Sequence, residues 1–267
     1  MTTAALSGTR SLPAVLAGWS GSGHSTAAVR WAARQAVRHG YALVVVRVDP
    51  PTPATQRSSW GLVSGTGAGF LLGDAGAERL RAELIASHPD LDVRFVRCDG
   101  DPATILAAAT QWAELVVLGA RGPARVANRV VGPVVAEVLR VSTGPVAVVP
   151  GLHVESGDGA ITIASRCLET WWPDWFSTLL DDVHVVADAT AELVRASWDS
   201  ALVVTACAGR HHAAAAQCEC VALVRSTVCP VLRLPVRVLA TPQASWSAGA
   251  DVAASADWAR VISSAVR

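Results

Sequence analysis

The chain has 267 residues, of which 51% are apolar and 16% charged, and its acidic and basic side chains balance to a net charge of zero. Such a composition excludes a disordered chain, and the charge balance argues against a nucleic-acid partner held by phosphate neutralisation. No apolar run reaches the length that spans a bilayer, which argues against a membrane partner. The apolar patch Leu12 to Trp19 is preceded by one charged side chain, Arg10, which falls short of a secretory signal. Six cysteines without framework spacing fit free thiols, so the expected location is cytoplasmic.

In chain order, Pro13 to Gly18 reads as a buried strand and Ser20-Gly-Ser-Gly23 as a turn. Ser22 or Ser25 can cap the helix that follows, which places Ala28, Trp31 and Ala32 on one face. Ala42 to Val48 is apolar apart from Arg47 and suits a parallel strand covered on both faces. Residues 50–75, rich in Pro, Ser, Thr and Gly, read as a long loop. Glu78 to His88 is a helix, Leu91 to Val96 a strand, and Gly100-Asp-Pro-Ala103 opens a helix running to about Trp112. A fourth strand starts at Glu114, and Pro145 to Val149 is a fifth. Alternation of strand and helix implies parallel strands joined by right-handed crossovers. The expected fold is therefore α/β, a doubly wound five-stranded parallel sheet whose ligand site lies at the carboxyl ends of the strands.

The second half echoes the first. Trp112-Ala-Glu-Leu-Val-Val-Leu-Gly119 recurs as Trp198-Asp-Ser-Ala-Leu-Val-Val-Thr205. Leu139-Arg140 followed by Pro145-Val146 and Pro150 recurs as Val224-Arg225, Pro230-Val231 and Pro235. An internal repeat indicates two copies of one fold. The expected division is a first domain over 1–150, a shortened second over 151–238, and an Ala/Ser-rich tail over 239–267.

The fourth strand feeds Gly119-Ala-Arg-Gly122, and nine residues later Gly132 precedes the helical pattern Val134, Val135, Val138 and Leu139. Strand, glycine loop and helix N-terminus in that order cradle an anion, because backbone N–H groups and the positive helix end share one space. Glycines admit a ligand close to the backbone.

With Gly18, the Gly21-Ser22 turn, Gly100-Asp-Pro-Ala103, Leu115 to Gly119, Gly122, Gly132 and Pro145-Val146 in sequence, the chain resembles the universal stress protein family. The resemblance is to its tandem, actinobacterial type, over 13–150 and more weakly over 185–235. It implies a Rossmann-like, adenine nucleotide alpha hydrolase-like sandwich, and pairing through the last strands, within one chain or between chains as a dimer. It also implies ATP, with magnesium, on a glycine-x-x-glycine-(nine residues)-glycine-Ser/Thr loop. Gly119, Gly122 and Gly132 match the three glycines, and Val48 matches the position whose backbone meets the adenine. Two positions depart. Ser20 stands where the family often has an acidic residue. Pro133 replaces the Ser/Thr, which removes a hydroxyl and an N–H while still starting a helix, with Val134 next in line. Arg121, Arg125 or Arg129 can compensate as phosphate ligands, or can form a solvated loop face. In the second copy Thr205 and Ala208 replace the first two loop glycines and none follows near Gln217 and Cys218, so that copy is expected to bind no nucleotide and to serve in pairing.

Other chemistry is weaker. His211-His212 with Cys218-x-Cys220 has metal-ligating residue types but no established spacing, and reads as a polar loop before buried thiols, so no metal site is assigned. Trp171, Trp172, Trp175 and Phe176 form either a packing cluster or a protein-binding patch. His24 lies near the glycine cradle, as a ligand contact or as the first turn of a helix. Asp49, Asp99 and Asp101 sit where turns and caps explain them, and no catalytic residues can be assigned. The reading is a universal stress protein with an ATP-binding regulatory role, at most a slow ATPase. Its alternative is an interaction protein that binds an unidentified protein partner and no nucleotide.

Overall fold

The computed structural model describes residues 13–49, 75–121, 131–151, 159–169, 172–179, 182–207 and 219–236. Residues 50–74 of the long loop with Trp60 and Phe70, the tail 239–267, Gly122, Arg125, Arg129, Trp171, Ala208, His211, His212, Gln217 and Cys218 lie outside them.

The first half alternates strictly: β1 (Ala14–Gly18), α1 (Gly23–His39), β2 (Ala42–Asp49), α2 (Ala75–Ser87), β3 (Val93–Asp99), α3 (Pro102–Ala109), β4 (Leu115–Gly119), α4 (Pro133–Val141) and β5 (Val146–Val149). Local signals set the boundaries. Ser22 caps α1, its side chain accepting from Ser25 N–H, and Gly40 ends the helix in the left-handed region at φ 66°. Asp101 caps α3, accepting from Thr104 N–H at 2.8 Å, with Pro102 at the start of the helix. The strands pair parallel in the order β3-β2-β1-β4-β5. Parallel strands covered on both faces need apolar runs, and β1, β4 and β5 are buried along almost their whole length. The order reverses between β1 and β4, so a crevice opens there at the carboxyl ends of the strands.

The second half contains β6 (Ala160–Ala164), β7 (Val183–Val186), α5 (Thr190–Ala196), β8 (Ser200–Cys207), α6 (Glu219–Ser226) and β9 (Val231–Pro235). Its strands lie in the order β9-β8-β6-β7, all parallel to one another. That succession matches β5-β4-β1-β2. Where α1 follows β1, two short 3₁₀ helices, Ser165–Glu169 and Asp174–Leu179, follow β6.

Among the described residues one antiparallel ladder joins the halves into a single sheet of nine strands. β5 pairs with β9 through Val146↔Arg233, Ala147↔Leu232 and Val148↔Val231. The side chain of Arg233 is buried at this seam. Its Nη1 donates to Ser142 Oγ at 2.8 Å and to Ser142 O at 3.0 Å, and its Nη2 donates to Cys207 O at 3.0 Å. The aromatic cluster also spans the halves, with the Trp175 ring 5.3 Å from His39 and the Phe176 ring edge-on to Trp172 at 4.6 Å. Trp175 and Phe176 are buried, which makes packing their role and removes them from any exposed binding patch.

Several boundaries differ from the sequence reading, and α2 begins at Ala75 rather than Glu78. β3 begins at Val93 and runs to Asp99, because its ladder with β2 continues through Arg47↔Arg97 to Asp49↔Asp99. Its outer positions carry Arg97 and Asp99, which hide the strand pattern at the solvent-facing edge of the sheet. α3 ends at Ala109, where Thr110 Oγ1 donates to Ala107 O at 2.7 Å and the chain closes in shorter turns through Trp112.

Candidate functional site

A cleft of about 410 Å³ opens where the sheet order reverses. Ser20, Val48, Gly119, Arg121, Gly132, Pro133 and Val134 all line it, so the structure brings the described members of the candidate set to one place. Gly122 lies outside the described residues. The walls are apolar: Trp19, Val46, Leu106 and Leu118 face the cleft beside Val48. A volume in this range and apolar walls suit a small planar ligand.

The polar end is built from helix starts. Ser20 and Ser25 come from the approach to α1, Pro102 from the first turn of α3, and Gly132 to Val135 from the first turn of α4. The first-turn N–H groups of a helix have no partner within it, and the helix dipole places positive potential there. Pro133 brings no N–H, so Val134 and Val135 supply the open donors of α4. Arg121 adds a full positive charge, and no carboxylate or histidine is among the described lining residues. The cleft therefore favours an anion at one end and an apolar body at the other.

The serine at the departure position does not stand alone. Ser20 N–H donates to Ser25 Oγ at 3.1 Å, and the Ser20 hydroxyl lies 3.1 Å from Ser22 Oγ and 3.2 Å from Ser25 Oγ. These hydroxyls are neutral groups that both donate and accept.

Gly119 has a second reason to be glycine. A Cβ there would stand 2.6 Å from the backbone carbonyl of His24 and 2.8 Å from Ser25 N, so the first turn of α1 packs directly on the end of β4. His24 does not line the cleft. Its ring packs against Gly151, where a Cβ would overlap it, and burial followed by the charge of Arg121 holds its pKa below the usual histidine value.

Trp19 and Leu106 are cleft residues that sequence reasoning missed. Trp19 immediately follows β1, a strand end that the doubly wound topology aims at the crevice, which is the signal that marks it. Its ring is held by Nε1 donating to Thr26 Oγ1 at 3.2 Å, with the Arg47 guanidinium 5.8 Å from the ring centre.

The second half differs at the corresponding place. Arg166, just after β6, bridges Asp188, beyond β7, and Glu219, the first residue of α6, at 3.1 and 2.6 Å. A partly exposed ion cluster thus sits among the strand ends and the helix start that correspond to those framing the cleft in the first half. The metal-type residues resolve in part: Cys220 is buried in α6, and the described residues hold no group that could bind a metal ion.

Residues 13–150 match the family model described as the universal stress protein family. The chain belongs to the universal stress protein family. Among solved structures it is similar to a universal stress protein from Archaeoglobus fulgidus, at 14% identity and a TM-score of 0.51, covering 83% of this chain and 98% of that one. It is also similar to a putative universal stress protein from Pseudomonas aeruginosa, at 12% identity and a TM-score of 0.51, covering 91% of this chain and 98% of that one. At these identities the likeness concerns the fold, and both related chains are covered almost end to end. No curated protein matches the sequence. Among the described residues no helix is long and apolar enough to cross a membrane.

Proposed function

We propose that this universal stress protein binds an adenine nucleotide in the first-half cleft and acts as a nucleotide-responsive regulator in the stress response. The observation that carries the reading is the convergence of Val48, Gly119, Arg121, Gly132 and Val134 on one cleft that is apolar at one end and positive at the other. Trp19, Val46, Val48, Leu106 and Leu118 would hold the base. Arg121 and the free N–H groups of Val134 and Val135 would hold phosphates, with any magnesium carried by the phosphates themselves. Pro133 and Val134 line the cleft and do not close over it, which supports the ligand reading. The described lining residues offer no general base, so the proposal is binding and signalling rather than hydrolysis.

The proposal includes a tandem arrangement, with residues 1–150 as the nucleotide module, 151–238 as a second copy used for pairing, and 239–267 as a tail. The matching strand order of the halves and the Arg166–Asp188–Glu219 cluster support it.

Calorimetric titration of the full chain with ATP and magnesium tests the reading, with Val48→Trp as the variant that fills the cleft. Binding at about one site per chain with a micromolar Kd, lost in the variant, is the expected result. An absence of heat at millimolar ATP overturns the nucleotide reading and returns the search to protein partners.

A further inference from the structure

A second cavity, of about 220 Å³, lies at the seam between the halves. It sits beyond the ends of β4 and β5 and against the last turn of α6, and His24, Arg121, Gly151, Arg225 and Thr227 contribute to its wall. Arg121 and Val131 also line the cleft, so the two spaces adjoin.

Charge is the first sign of what it takes. Among the described residues two guanidinium groups and no carboxylate line it, and neither Arg121 nor Arg225 forms an ion pair. Unpaired polar atoms are the second. Thr227 is only 7% exposed, yet its hydroxyl has no hydrogen-bond partner among the described residues, and neither does the buried His24 Nδ1. A buried polar group left unpaired carries an uncompensated desolvation cost, which a ligand oxygen would recover. The third sign is provenance. Arg121 follows β4 in the first half and Arg225 lies in the last turn of α6 in the second, so only the joined chain presents both.

We propose that the seam cavity is an anion subsite that takes a phosphate group, bridged by Arg121 from one half and Arg225 from the other and supported by the Thr227 hydroxyl. Guanidinium forks match tetrahedral oxyanions in geometry as well as charge. The phosphate comes either from solution or from the far end of a nucleotide chain seated in the cleft. The second source rests on the nucleotide reading, and the subsite itself does not.

The test titrates the full chain with sodium phosphate, against sodium chloride at matched ionic strength, in the parent and in the Arg225→Gln and Thr227→Val variants. Saturable phosphate binding in the parent is expected, weakened about tenfold in Arg225→Gln. Because Arg225 is exposed, that variant keeps the parent's unfolding midpoint without phosphate. Phosphate heat no larger than that of chloride, or affinity unchanged in Arg225→Gln, overturns the subsite. Parallel ATP and AMP titrations identify the source. Loss of ATP affinity with AMP unaffected in Arg225→Gln assigns the subsite to the nucleotide's terminal phosphate, and loss of phosphate affinity alone assigns it to free phosphate. AMP binding without phosphate binding would sink the subsite and leave the nucleotide reading intact, and the converse would do the reverse.

Discussion

Arg233 Nη1 on β9 donates to Ser142 Oγ, 2.8 Å away in the turn between α4 and β5, and so ties the two halves together from inside the sheet. The same nitrogen reaches Gly144 O at 3.3 Å, and Nη2 satisfies Cys207 O. Removing the guanidinium takes a donor away from Ser142 Oγ, Ser142 O, Gly144 O and Cys207 O at the seam. Arg233→Ala is expected to destabilise the protein by about 3 kcal/mol, and Ser142→Ala by about 1 kcal/mol, since the carbonyl contacts persist in the second variant. Urea unfolding followed by circular dichroism checks both, and equal costs would show that the serine hydroxyl dominates the contact.

Gly119→Ala places a methyl group against the His24 carbonyl, and backbone rather than a flexible side chain must give way. A loss of about 2 kcal/mol in stability is expected without any ligand present. Chemical denaturation of the nucleotide-free chain reads it. An unchanged midpoint would mean that α1 can shift off β4 at little cost.

Pro133→Ser restores a hydroxyl and an N–H to the first turn of α4, at the mouth of the cleft. Under the proposed function, ATP affinity is expected to rise about tenfold, the gain of one hydrogen bond to a charged group. Calorimetry on the two chains measures the difference. Equal affinities would mean that phosphates do not reach α4.

Glu114 is half-buried beside β4, and desolvation followed by the charge of Asp174 raises its pKa above the ordinary glutamate value. The folded state therefore binds this proton more tightly than the unfolded state does. Its contribution to stability is greatest below the unfolded pKa, falls as pH rises, and settles into a constant penalty above the raised folded pKa. Glu114→Gln is expected to be more stable than the parent at neutral pH, with a flatter profile through the carboxylate range. Thermal midpoints across a pH series check this, and a variant less stable than the parent at neutral pH would contradict it.

Much of the fold was legible because parallel strands and caps leave local marks. The apolar runs at Ala14, Ala42, Leu115 and Val146 could serve as little else, and Ser22 and Asp101 announce helix starts through side chains of the right type. The cleft was legible to the extent that Gly119, Gly132 and Val48 fall at strand ends and helix starts. Trp19 and Leu106 were not, since an apolar residue reads the same whether it faces core or crevice. β3 was misplaced because Arg97 and Asp99 pair across the ladder with Arg47 and Asp49, a relation between distant residues that no local window contains. The ionic cluster of Arg166, Asp188 and Glu219 depends likewise on residues brought together only by the sheet.

The β5–β9 ladder makes the contact between halves a unimolecular event. Two separate chains meeting along such an edge would dissociate on dilution, and their unfolding midpoint would follow protein concentration by mass action. Here the second edge is tethered at a high effective concentration, so the seam persists however scarce the protein becomes. Whatever the seam residues recognise, they can do so when only a few copies of the chain are present.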